Sequence, residues 1–215
     1  MASVPTGTTF WVANAFAAAK NITAVTNATE AVCTSTAHGL TTGDVVEVTS
    51  GWGRINRRVF EVTNVTADTF KLNGADTTNL NFYPAGTGAG SFRKVTTFQQ
   101  ITQVTAASSS GGDPKTVNYK YIESDVDYSI NDGFNATQYQ LTLDADAIGT
   151  AGYIALKTLT DVQTDTCLKM VSRSGARLFM PCTVAMNEVP NLNDGQINTV
   201  TAAFNGNNRP IRYAA

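Results

Sequence analysis

From Leu178 to Met186 every second residue is apolar: Leu178, Met180, Cys182, Val184 and Met186. A period of two held this long puts all five on one face of a strand. Five such side chains would be costly in water, so this face is expected to be core, with Cys182 an inert thiol. Thr166 to Arg173 supplies a partner strand, and Ser174-Gly175 between them reads as a two-residue hairpin turn. Shorter alternations precede the pair: Val117, Tyr119 and Tyr121 within Thr116 to Ile122, and Tyr139, Leu141 and Leu143 within Thr137 to Leu143. Val95 to Val104 and Ile197 to Phe204 are strand-like, Ser108 to Pro114 reads as an exposed loop, and Asn205 to Ala215 reads as a polar, mobile tail. One stretch changes period. Ile148, Gly152, Ala155 and Leu159 share a helical face, so a helix is expected over Ala145 to Thr160 with Asp144 as its N-cap. Gly149 and Gly152 each cost about 1 kcal/mol relative to Ala, so packing must hold that helix.

The first half carries a denser rhythm. Val32 to Leu40 runs into the turn Leu40-Thr-Thr-Gly43-Asp44. Short strands follow at Val45 to Val48, Val59 to Val62 and Asp68 to Leu72, punctuated by Gly51-Trp52-Gly53 and closed by Asn73-Gly74. That spacing predicts a small barrel or meander. Pro84 to Gly90, with three glycines, reads as its flexible exit. The chain is therefore mainly β, with one flanking helix.

Composition sharpens this picture. Among 215 residues there are 32 threonines, one histidine and three cysteines, so the usual catalytic and metal-binding clusters are hard to build. Charged residues make up 15%, against roughly a quarter in an ordinary soluble chain. Either other subunits cover much of the surface, or the exterior is a neutral one of Thr, Ser and Asn. The net charge of −2 gives no bulk attraction for nucleic acid or an anionic membrane. The longest apolar run, Phe10 to Ala19, falls short of the roughly 20 residues that cross a bilayer. No basic region precedes an apolar core at the N-terminus, so no signal peptide is expected. Cys33, Cys167 and Cys182 are odd in number and far apart, as in a reducing compartment. The Asn-x-Thr triplets at Asn21, Asn27, Asn64 and Asn135 then count as chance products of a Thr-rich chain.

Charge is unevenly spread. Residues 21–94 balance six bases against six acids. Residues 113–165 set nine acids against three lysines, a net −6, and residues 166–215 set five bases against two acids, a net +3. A subunit that stacks head to tail would use such polarity.

The individual motifs read blandly. Gly86-Thr-Gly88-Ala-Gly90 lacks the following helix that a phosphate loop needs, and reads as a linker. Arg54, Arg57 and Arg58 beside Trp52 could grip single-stranded nucleic acid, but read as a loop with solvated charges. His38 reads as a turn histidine, because no second ligand lies at metal spacing. Ser108 to Asp113 has no nucleophile-elbow frame. Glu123, Asp125 and Asp127, at period two, could ligate Ca²⁺ with loop carbonyls but have no EF-hand frame. They read as a solvated or inter-subunit acidic face. No cofactor, metal site or catalysis is expected.

The opening Gly7-Thr-Thr-Phe-Trp-Val12 resembles the first strand of siphophage major tail tube proteins. The element order is similar too: strands, a Gly/Ser/Asp-rich loop, more strands, one helix after Leu141-Thr-Leu143, then a long hairpin. So is the ending from Val200 to Pro210. Residues 22–72 resemble a separate small β module, through Ala37-His-Gly-Leu-x-x-Gly-Asp-x-Val46, Phe60-x-Val62 and Asp68-Thr-Phe-x-Leu72. Such modules recur in phage structural proteins and were first named within ubiquitin-activating enzymes. The resemblance implies a β-sandwich or barrel-like tube core over residues 1–20 and 91–215, with an inserted module over 21–90 forming an exterior decoration.

It further implies a structural virion protein that self-assembles into stacked hexameric rings, forming the tube of a non-contractile tail. Its partners would be copies of itself, a tape-measure protein in the lumen, and tail terminator and tail-tip proteins, with double-stranded DNA passing through without sequence-specific binding. It would reside in the virion tail, and in the host cytoplasm during assembly, with no membrane contact. The expected contacts between rings are Asp113, Glu123, Asp125 and Asp127 with Arg209 and Arg212. Two other readings compete: another phage virion component, such as a head-decoration or receptor-binding protein, and a tail glycosidase or peptidase. The last would need two carboxylates across a cleft beside an aromatic sugar platform, and the acids cluster in one segment without one.

Overall fold

The computed structural model describes residues 5–215; of the expected core segment 1–20, residues 1–4 lie outside the described residues. The chain forms β1 (Thr9–Phe16), β2 (Lys20–Ile22), β3 (Ala24–Val25), β4 (Val32–Thr34), β5 (Val45–Ser50), β6 (Arg58–Thr63) and β7 (Thr69–Leu72). Then come β8 (Gly90–Ile101), β9 (Val104–Ser110), β10 (Pro114–Tyr119), β11 (Tyr128–Phe134) and β12 (Gln138–Asp144). After a 3₁₀ turn, Ala145–Gly149, the chain continues through α1 (Ala151–Val162), β13 (Thr166–Val171), β14 (Arg177–Asn191), β15 (Thr199–Gly206) and β16 (Ile211–Tyr213).

The strands make one curled, half-barrel sheet in the order β3-β4-β7-β6-β5-β8-β1-β13-β14-β15-β12-β9; β2 pairs with β8 and β16 with β14. Strands β10 and β11 stand apart as a two-stranded ribbon. The mainly β class and the single helix are as expected. The main core packs α1 against the inward residues of the sheet, among them Val12, Leu141, Leu143, Leu168, Met180, Val184 and Phe204. A second core, built on Trp52, Phe60, Phe70, Leu72 and Phe92, fills the module. A third, with Val45, Val59, Cys167, Phe179 and Tyr213, lies where the two meet.

The alternating strand is realised as β14. Met180, Cys182, Val184 and Met186 are buried and Leu178 is half-buried. Its other face is covered too, by the junction core around Phe179. The β13–β14 connection is longer than the expected two-residue turn. Ser172 N–H donates to Ala176 O (2.9 Å) and Gly175 N–H to Ser172 O (2.9 Å), leaving a three-residue loop with Gly175 at φ +87°. This is a type I turn closed by a left-handed glycine.

The expected helix is split. Asp144 does cap, but it caps the 3₁₀ turn by accepting from Asp146 N–H, whereas α1 starts at Ala151 with Thr150 as its N-cap. Ile148 consequently faces solvent, while Gly152, Ala155 and Leu159 are buried. Gly152 is there for proximity: a Cβ on it would stand 2.9 Å from Ile101 Cα and closer still to the Gln100 carbonyl.

Other boundaries shift. Ser108 to Ser110 are strand rather than loop, and Pro114 opens β10, where a missing N–H is tolerated. The tail is not a mobile arm. β16 pairs with β14, with Leu178 opposite Arg212, and Tyr213 is buried. Its hydroxyl donates to Asn73 O (3.0 Å) and accepts from Glu61 N–H (3.2 Å), and burial pushes its pKa up to about 12.

The expected flexible exit is packed instead. Trp52 is 1% exposed; its indole N–H donates to Pro84 O (2.9 Å) and Thr87 Oγ1 (3.0 Å), and Gly88 lies so close to the ring that a Cβ would fall within 2.9 Å of it. The expected division at 90/91 falls at the start of β8, a strand that serves both halves. Its first residues pair with β5 and β2, and its remainder, from Val95, pairs with β1.

Polar groups close the junction around Asp165. Arg57 donates to both of its carboxylate oxygens, Asn207 Nδ2 to its Oδ1 (2.9 Å), and Arg93 to its carbonyl (2.9 Å). Arg177 and Glu61 form a second pair at 3.0 Å.

Gly152→Ala should lower stability by about 2 kcal/mol, because the overpacking against β8 outweighs the roughly 1 kcal/mol gained in helix propensity. The urea midpoint would report it. The thiols yield a second expectation. All three are free and buried; burial pushes Cys33 and Cys182 up to about 12 and Cys167 well above its ordinary value. At pH 8 the thiolate fraction is then on the order of one in ten thousand for Cys182. A thiol reagent should leave the native protein unlabelled and modify all three cysteines in denaturant, which mass spectrometry would count.

Candidate functional site

Strands β10 and β11 form an arm whose side chains alternate without a core beneath them. Val117 lies opposite Ile130 and Tyr119 opposite Tyr128, so one face is apolar, while Thr116, Asn118, Ser129 and Asn131 make the other polar. Tyr119 and Tyr128 stack at 5.4 Å between ring centroids, and Tyr121 meets both rings edge-on. This face remains open: Val117 is 47% and Ile130 55% exposed. A lone two-stranded ribbon is marginal in water, and a contiguous exposed apolar face marks an interaction surface. Ile122 and Val126 project at the tip, where Ser124 N–H donates to Tyr121 O to close the turn.

The acids expected at period two sit in that tip. Glu123, Asp125 and Asp127 lie in the connection between β10 and β11 rather than on a strand, and all three are exposed. Asp113 is at the other end, at the arm's root, where its carbonyl accepts from Asn135 N–H (2.9 Å). Arg209 is also at the root, its guanidinium 3.9 Å over the Phe134 ring. Arg212 lies on β16, exposed and apart from that root. Within one chain the tip acids therefore meet neither arginine.

Beside the root opens a cleft of about 860 Å³ that the sequence did not reveal. The module contributes Arg54, Arg58 and Tyr83; the arm and the following segments contribute Phe134, Asn208 and Arg209. The segments are tied together by Asn208, which donates to Asn56 O (2.7 Å). Each arginine is held by an aromatic ring: Arg54 lies 3.4 Å over Phe82 and Arg58 4.9 Å over Phe60. Among the described residues none of the three has a carboxylate partner. Burial, and to a lesser degree the charge of Arg209, lowers the pKa of Arg58, and its Nε is buried without a hydrogen-bond partner. The loop with solvated charges expected at Arg54, Arg57 and Arg58 is thus two environments: the Asp165 ion pair at Arg57, and a cleft wall at Arg54 and Arg58. A run of three arginines carries no signal that distinguishes these.

The remaining motifs resolve as structure. His38 is buried; its Nδ1 accepts from Leu40 N–H (3.0 Å) and its Nε2 faces Thr69 O (3.3 Å), so both nitrogens fix the turn. In Gly86 to Gly90, Gly88 packs against Trp52, and Gly90 opens β8. Among the described residues no three His, Cys, Asp or Glu side chains gather as metal ligands do, and no helix is long and apolar enough to cross a membrane. Sequence reasoning missed β11; its signal was the alternation of Tyr128 with Ile130.

Comparison with known proteins adds to this geometry. A family model described as phage tail tube protein (TTP) matches residues 50–215. A solved structure described as the cryo-EM structure of the anti-feeding prophage cap (AFP tube terminating cap) aligns over 54% of this chain and 83% of its own, at 12% identity and a TM-score of 0.36. No curated protein matches the chain.

Proposed function

Because the chain belongs to the phage tail tube protein family, we propose that it is the repeating subunit of the tube in a non-contractile, siphophage-type tail. The family is a structural one, and a structural role in a phage tail follows from membership. The finer reading rests on the arm: a folded ribbon with an apolar face that none of the described residues covers. Copies of the chain are its natural cover. The free edge of the curled sheet adds to this. Among the described residues β9 has a partner on one side only, and its exposed Thr105 to Ser110 carry small side chains that would let another strand approach.

In this reading six subunits close into a ring and rings stack into a tube. The lumen holds a tape-measure protein and later passes double-stranded DNA without reading its sequence. The tube ends on terminator and tip proteins. The subunit functions in the virion tail after assembling in the host cytoplasm, and it performs no catalysis. Residues 21–90 are a small module, of the kind named from ubiquitin-activating enzymes, inserted into a tube core of residues 1–20 and 91–215. Asp113, Glu123, Asp125 and Asp127 meet Arg209 and Arg212 between rings. Exposed ion pairs are each worth at most about 1 kcal/mol, but a symmetric ring repeats them in every subunit.

Electron microscopy of the concentrated protein tests this: rings or tubes are expected, and a monomer at every concentration and salt would end the reading. A second test isolates the arm. Tyr119→Ser with Tyr128→Ser should change the urea midpoint by less than about 0.5 kcal/mol equivalent, since both rings are exposed in the single chain. Assembly should be lost, as read by sedimentation velocity. Wild-type polymers from this variant would show that the arm is not the contact.

A further inference from the structure

We propose that the cleft lined by Arg54, Arg58 and Arg209 is the socket for the acidic tip of the β10–β11 arm of a second copy of this chain. The inference rests on the tube reading and deepens it, because it assigns the inserted module half of an assembly interface.

Three observations carry it. First, charge and shape match. The cleft offers three arginines without carboxylate partners among the described residues, set among aromatic rings. The tip offers Glu123, Asp125 and Asp127 interleaved with exposed Ile122 and Val126. Arginines placed over rings present a planar fork of donors, the arrangement that suits carboxylates. The volume of about 860 Å³ has room for several side chains.

Second, the occupant must come from another molecule. Pro114 pairs with Phe134 at the root, beside the cleft, while the tip lies beyond Tyr119 and Tyr128. Six residues of strand separate them, about 17 Å at the rise of an antiparallel strand. A rigid ribbon of that length cannot bring its tip back to its own root. Tip and socket lie on different parts of the surface, so a head-to-tail arrangement lets the contact propagate from copy to copy.

Third, another exposed apolar group offers such a tip no free cation among the described residues. Val189, Leu192 and Ile197 are exposed beside Glu188 and Asp194, and Glu188 is already paired with Lys157 (3.0 Å). In the empty socket the Arg58 Nε is buried without a hydrogen-bond partner. An incoming carboxylate relieves this.

The test uses the full chain. Arg54 and Arg209 are exposed, so Arg54→Glu with Arg209→Glu should fold, with an unchanged circular dichroism spectrum. Its threshold concentration for polymerisation, by light scattering in about 0.05 M salt, should rise by about tenfold or more, and the difference should shrink in about 0.5 M salt. Asp125→Arg with Asp127→Arg should do the same. Mixing the two variants, or joining all four changes in one chain, should bring the threshold back to within about threefold of wild type. If wild-type chains polymerise and the reversed cleft makes no difference, or the mixture recovers nothing, the socket is refuted while the tube reading stands. If wild-type chains never polymerise, the tube reading itself fails. A short DNA duplex serves as the competing occupant. Binding that the cleft reversal abolishes and the tip reversal leaves intact would assign the cleft to nucleic acid and overturn the proposal.

Discussion

Strand β8 is the element on which the rest of this structure depends. Its hydrogen bonds run to β5 and β2 from Gly90 to Lys94, and to β1 from Val95 to Ile101. Each backbone N–H and C=O buried along that ladder needs its partner, so neither half can move without breaking pairs in the other. The module is therefore a continuation of the sheet rather than a bead on a string. Gly152 shows how closely the same strand is approached from its other side, where α1 rests on Gln100 and Ile101 with no Cβ between them.

The junction converts this continuity into a fixed angle. Phe179, Val45, Val59 and Tyr213 exclude water from it, and Asp165 gathers donors from the loop before β6, from β8 and from the segment after β15. Burial pushes the Glu61 carboxyl up, opposed by Arg177 and Lys169. Removing its partner would leave a partly buried charge unpaired, a situation proteins tolerate poorly. A module held this firmly has a definite neighbour at the arm's root. Arg54 and Arg58 on one side and Arg209 on the other can then form one wall-to-wall cleft. A flexible tether at Pro84 to Gly90 would have left those arginines in independent, solvated positions.

The arm carries charge at its tip and root, yet one face of its strands is apolar and open. A free monomer would be expected to surround an exposed strand with lysines. Here Val117, Tyr119, Tyr121, Tyr128 and Ile130 are exposed together, and the edge strand β9 carries Ala106, Ala107 and three serines. Both features suit a chain whose final surface is set by its neighbours, in keeping with membership of a tail tube family.

Period-two alternation and turn residues were enough to find β5, β6, β7, β12, β13 and β14, because a strand with one buried face writes its geometry directly into residue order. A change to helical spacing located the helix, and the glycine after His38 marked the turn histidine. The tip acids were legible as a group, though their place in a turn rather than on a strand was not. What residue order could not contain was which distant segments would be brought together. The three arginines after Trp52 are indistinguishable as a string, yet Arg57 pairs with Asp165 while Arg54, over Phe82, and Arg58 line a cleft with Arg209. Tyr139 and Tyr119 stand in equally good alternating patterns, yet one is half-buried on the main core and the other is exposed on the arm. The tail looked mobile because its residues are polar, but β14 offered it an edge and the junction offered Tyr213 a pocket. Local pattern determines which face of an element is apolar; only the packing of the whole sheet decides whether that face meets the protein's own core or is left for another chain.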